Sequence, residues 1–149
     1  MTYKLIIQEL KESSDHNVRT FVREVEKMKR LTTQRRHYYL TNRYEPGAVR
    51  ILMKDYIPYI IKVAYGYKEK TTKLSLLDLV NEGMVGVYAA IEKYNYQGRA
   101  LSVIIRKYIA KYIINVAEKN GCTSKVDFYT HSRAVWDETI DLDDLHYGF

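Results

Sequence analysis

The chain has 149 residues, with 24 basic and 18 acidic side chains, 46% hydrophobic residues and one cysteine. The lone Cys122 excludes an internal disulfide and fits a reducing compartment. The absence of any run of about 18 apolar residues excludes a membrane helix, and the first ten residues lack the core and cleavage site of a signal peptide, so a cytoplasmic protein is expected. The charge is uneven. Residues 121–149 hold two basic and six acidic side chains, leaving 22 basic and 12 acidic in the first 120. A basic body suits a polyanionic partner, and an acidic end suits a different partner or folds back on the body.

The elements read as helices. Leu5, Ile6 and Ile7 form a short apolar run whose type the pattern leaves open. Ser13-Ser14-Asp15 is a helix start, followed by Val18, Phe21, Val22, Val25 and Met28 on one face, which predicts a helix over about 15–30. Thr32 or Thr33 caps the next, to about Tyr44. Pro46-Gly47 breaks the chain before a helix over about 48–66, with Ile51, Leu52, Ile57, Ile60, Ile61 and Ala64 as its buried stripe and a kink expected near Pro58.

Ser75 then caps a helix to about Tyr94. Leu76, Leu79, Val80, Gly83, Val87, Ala90 and Ile91 recur on one face and Asp78, Asn81, Glu82 and Lys93 on the other. Gly83 and Gly86 each cost about 1 kcal/mol relative to alanine inside a helix, which implies close approach by a neighbouring backbone. After a turn at Asn95–Ala100, Ser102 is read as the cap of a last helix to Lys119. Its buried stripe is Ile105, Ile109, Ile113 and Val116, with Ile104, Lys107, Tyr108, Lys111 and Asn115 on the other side. Asn120-Gly121 closes it. The fold class is all-α, about five helices, in three parts: an extension at 1–30 with one helix, a helical domain at 31–120, and an acidic, hydrophobic tail at 121–149.

No catalytic or metal-binding set emerges. His16, His37, His131 and His146 are scattered and make no ligand spacing with Cys122. There is no phosphate-cradling glycine loop or nucleophile elbow. A binding protein without cofactor or metal is expected, not an enzyme. The 15 tyrosines suit stacking on unpaired bases or half-buried packing.

The stretch L-S-L-L-D-L-V-N-E-G-M-V-G-V-Y-A-A-I-E-K-Y-N-Y, from Leu74 to Tyr96, closely resembles the core of region 2 in the sigma-70 family of bacterial RNA polymerase sigma factors. The resemblance starts near Leu31, where L-T-T-Q-R-R-H-Y-Y-L-T-N-R-Y is of region 1.2 type, and fades near Glu118. Asn81 stands where the family has glutamine. The resemblance implies a sigma region 2-like domain whose first partner is the largest-subunit clamp of the RNA polymerase core. It carries that contact onto Leu77, Asp78, Asn81, Glu82 and Met84. Apolar anchors flanked by carboxylates suit such a contact.

The second implied partner is promoter DNA with a −10-like element, on the last helix and the turn before it. The basic candidates are Arg99, Arg106, Lys107 and Lys111, and the aromatic ones Tyr94, Tyr96, Tyr108 and Tyr112, with Asn115 on the same side. Lys107 and Tyr108 fall on the family's tryptophan pair. Ile104 falls on the aromatic that captures a flipped adenine, and Lys111 and Ile114 on its base-reading glutamine and threonine. Lysines hold phosphate well but read bases poorly.

Residues 120–149 are too few for the helix-turn-helix that reads a −35 element, an economy similar to the short late sigma factors of tailed phages, for which a phage-encoded chain would act in the host cytoplasm. Their acidic tails dock on a sliding clamp. Here Leu142, Leu145, Tyr147 and Phe149 are the matching candidates for a clamp or co-activator, beside the alternatives of a tail folded on the basic body or left disordered. The competing functions are a polymerase-binding regulator that has lost promoter melting and a basic DNA-binding module without polymerase contact.

Overall fold

The computed structural model describes residues 2–71, 73–94 and 100–120. These form six α-helices: α1 (Tyr3–Lys11), α2 (His16–Lys27), α3 (Thr33–Thr41), α4 (Ala48–Tyr67), α5 (Leu76–Lys93) and α6 (Leu101–Lys119). The helix beyond the expected five is α1, over the short apolar run. The Thr2 hydroxyl accepts from the Leu5 amide at 3.3 Å, and Ile6, Ile7 and Leu10 are buried at helical spacing. The expected starts at Asp15 and Ser75 are N-caps whose side chains accept a first-turn amide, and of Thr32 and Thr33 it is Thr32 that does so. The helix starting at Asp15 ends at Lys27, so Met28 lies beyond it and is exposed.

Three helices build the centre of a core to which α1, α2 and α3 also contribute. α5 packs most extensively on α6, and α4 lies against both. The stripe expected on α5 is buried in full. On α6, Ile105, Ile109 and Ile113 are buried as expected, Val116 is half-buried, and Ile114 and Ala117 join the core. The glycines of α5 lie where another chain segment comes closest. A Cβ on Gly83 would sit 2.6 Å from Ile60 Cγ2 of α4 and 3.1 Å from Ile113 Cδ1 of α6. One on Gly86 would sit 2.8 Å from the Tyr108 carbonyl oxygen and 3.1 Å from Ile109 Cα.

The start of α6 differs from the sequence reading. Ser102 lies inside the first turn and is buried, and the N-cap position is Ala100, with no side-chain cap bond. Leu101 is drawn into the core, which carries the helix back past the serine. At the other end the Asn120 side-chain amide donates to the Val116 carbonyl at 2.8 Å. Gly121, the expected stop, lies outside the described residues.

α1 and α2 pair, and α1 also packs on α4. The Tyr65 hydroxyl of α4 donates to the Glu9 carboxylate of α1. α3 is held to α4 by a buried ion pair: Arg36 Nε donates to Asp55 Oδ2 at 2.5 Å, and both side chains are almost fully enclosed. Asp55 Oδ1 also accepts from the Leu31 amide at 2.9 Å, and Arg36 Nη2 donates to the Leu31 carbonyl at 3.0 Å. One carboxylate thus fixes both α3 and the strand of chain leading into it. No described helix is long and apolar enough to cross a membrane.

Candidate functional site

Two surfaces of the α5–α6 pair hold the residues singled out from sequence. The first is the outer face of α5. Its position is set at Ser75, whose hydroxyl accepts from the Asp78 amide at 3.2 Å while the Asp78 carboxylate accepts from the Ser75 amide at 3.0 Å. This reciprocal capping box satisfies two amides that would otherwise lack partners and puts a negative charge at the positive helix end. Asp78 therefore has a structural duty of its own. Asp78 and Asn81 are exposed, while Leu77, Glu82 and Met84 are partly covered.

Sequence reasoning missed two residues on this face. Val85 is 49% exposed and Tyr88 is 54% exposed, both unusually open for large apolar side chains. They stand four and seven positions after Asn81, so they continue its face along the helix. Helical spacing from Asn81 was the signal that could have found them.

The second surface is the outer side of α6. Lys111 and Asn115 are exposed, and Ile104, Lys107, Tyr108 and Tyr112 are half-buried. The Tyr108 and Tyr112 rings stack with centroids 6.3 Å apart at an interplanar angle of 20°. Lys111 Nζ lies 6.0 Å from the Tyr108 ring centroid. The result is a strip of two aligned rings with a cation over one of them, a chemistry that suits phosphate and exposed bases.

Arg106 does not belong to this strip. It is only 2% exposed, on the buried side of α6 with Ser102 and Ile109. It stands four positions after Ser102 and three before Ile109, so helical geometry turns it inward and it cannot meet a nucleic acid there. Ile114 is equally enclosed and cannot serve as a base reader. Arg99, Tyr96 and the tail residues Leu142, Leu145, Tyr147 and Phe149 lie outside the described residues.

One contact ties a distant element to this side. Arg43, just after α3, places its guanidinium 4.7 Å from the Tyr44 ring centroid and 5.1 Å from that of Tyr94, at the end of α5. Tyr94 is thereby held from the side. The pairing joins residues 51 positions apart, and no local pattern announces it. Among the described residues, no group of three histidine, cysteine, aspartate or glutamate side chains comes together as a metal site. Comparison with family models, with curated proteins and with solved structures finds no match to this chain.

Proposed function

We propose that the chain is a sigma-type factor: it binds a bacterial-type RNA polymerase core through the outer face of α5 and directs it to promoters with a −10-like element through the outer side of α6. The observation that supports this reading most is the sidedness of the Leu74–Tyr96 stretch. Leu77, Asp78, Asn81, Glu82 and Met84 all keep access to solvent, while the residues between them are buried. The residues that the resemblance assigns to a partner are thus the ones available to it. Val85 and Tyr88 extend the face with apolar area, which the centre of a binding surface needs. On α6, Lys107 and Lys111 would hold phosphates and Tyr108 and Tyr112 would stack on bases at the edge of a melted region.

A second reading is a polymerase-binding regulator that keeps the α5 contact and has lost promoter melting. Ile104 favours it, because an aliphatic side chain offers no ring to capture an extruded base. Run-off transcription with core polymerase separates the two. Transcripts from duplex AT-rich promoter DNA support the sigma factor. Transcripts only from a pre-melted bubble support a factor that cannot open DNA, and binding without transcripts supports the regulator. Absence of polymerase binding overturns both.

A further inference from the structure

A groove between α1, α2 and α4 belongs to neither of these surfaces. It encloses about 420 Å³, within the range of about 300–1,000 Å³ typical of ligand sites. Its floor is apolar, from Ile7, Val25 and Pro58, and the exposed Met28 adds apolar area beside it. Its rim is cationic, from Lys4, Lys11 and Arg30; Lys11 meets Glu26 at 2.7 Å, and Arg30 Nε donates to Asp55 Oδ1 at 3.4 Å while about two-fifths of its side chain stays exposed. Tyr3 also lines it. Burial raises the pKa of that phenol above its ordinary value, the nearby Arg30 charge opposes the rise and the Glu26 charge adds to it. The shape asks for a segment that is both apolar and acidic.

The chain contains such a segment. Residues 138–149 read E-T-I-D-L-D-D-L-H-Y-G-F, with four acidic side chains, no lysine or arginine, and five large apolar residues. We propose that this groove holds residues 138–149 of the same chain, with Ile140, Leu142 and Leu145 toward the apolar floor and Asp141, Asp143 and Asp144 toward Lys4, Lys11 and Arg30. The reach is sufficient. Residues 121–137 separate the segment from the end of α6 and, at roughly 3.3–3.6 Å per residue, span up to about 60 Å. A folded chain of this length has a radius of gyration of roughly 15 Å. Because the segment is tethered, its effective concentration at the groove is on the order of millimolar, so modest contacts suffice. Docked there, the segment covers its own apolar residues, and any outside partner of the tail must compete with the groove. The inference stands apart from the polymerase reading, since neither α5 nor α6 takes part.

The test uses the full chain. A nitroxide is attached at Gly148→Cys in a Cys122→Ser background, and amide signals are followed by NMR. The expected result is loss of most of the signal intensity at Ile7, Lys11 and Met28. It should recover in the Lys4→Glu/Met28→Glu variant, whose substituted side chains are exposed, and with rising salt. No selective loss on α1 and α2, or losses centred on α5 and α6, overturns the proposal. So does equal loss when label and isotope are on different molecules, which would place the tail on a second copy.

Discussion

Asp78 shows why one side chain must be tested in two ways. It caps α5 and is also a proposed partner contact. Asp78→Ala removes both and should destabilise the fold by about 1 kcal/mol, the usual scale for a lost cap. Asp78→Asn keeps an acceptor oxygen and loses only the charge. Its urea midpoint should stay near that of the parent while polymerase affinity falls. Equal affinity for Asp78→Asn and the parent would remove that carboxylate from the interface. Asp55 presents a harsher case, since its partner Arg36 is enclosed with it. Asp55→Asn leaves a buried guanidinium without its counter-charge and should cost roughly 3–5 kcal/mol, whereas replacing both by apolar residues of similar volume removes the buried charge and should cost less, the remaining loss being the Leu31 amide and carbonyl left without these partners. Urea unfolding of the single and double variants measures the difference. Tyr65 sets a pH limit. Its hydrogen bond to Glu9, aided by burial and by the Glu9 and Glu69 charges, pushes its pKa up to about 12. A raised pKa means the contribution is complete below pH 10 and is lost as the phenol ionises between about 10 and 12. The protection of α1 amides, taken relative to their intrinsic base-catalysed exchange, should therefore fall across that window, and Tyr65→Phe should abolish the fall.

At the scale of elements, the α5–α6 seam is the sharpest constraint. Gly86→Ala would drive a methyl against the backbone of Tyr108 and Ile109, which cannot rotate away, so a loss of about 1–3 kcal/mol is expected despite the gain in helix propensity. Gly83→Ala meets the side chains of Ile60 and Ile113 first and should cost less. Thermal unfolding of the two variants checks the order. This seam was readable in advance, because a glycine in a helix has a propensity cost and close packing is its commonest compensation. Helix starts at Asp15, Thr32 and Ser75 were readable for the same local reason, a hydroxyl or carboxylate ahead of an apolar stripe. The start of α6 was not, because burial of Leu101 outweighed the capping preference of Ser102. Arg106 was misjudged by chemical type, although its spacing from Ile109 and Ile113 already placed it on the inner face. The Arg36–Asp55 pair spans 19 positions and the Arg43–Tyr94 contact 51, and separations of that size leave no periodic trace.

At the scale of the whole molecule, the basic body and the acidic tail define the electrostatics. If α6 meets DNA, binding should weaken steeply with salt, and Lys111→Ala should reduce the salt slope by about 1 and weaken binding to all sequences alike. A change in sequence preference instead would mean that Lys111 reads bases. The backbone contact at Gly86 has a consequence for genetics. It leaves no slack between the helix that faces one proposed partner and the helix that faces the other. A screen for variants that fail on DNA should thus return substitutions at residues 83 and 86, which are buried in the seam and reach neither outer face. Suppressors of changes at residue 83 should map to small replacements at Ile60 and Ile113, the side chains met there, whereas residue 86 meets backbone and should yield none of that kind.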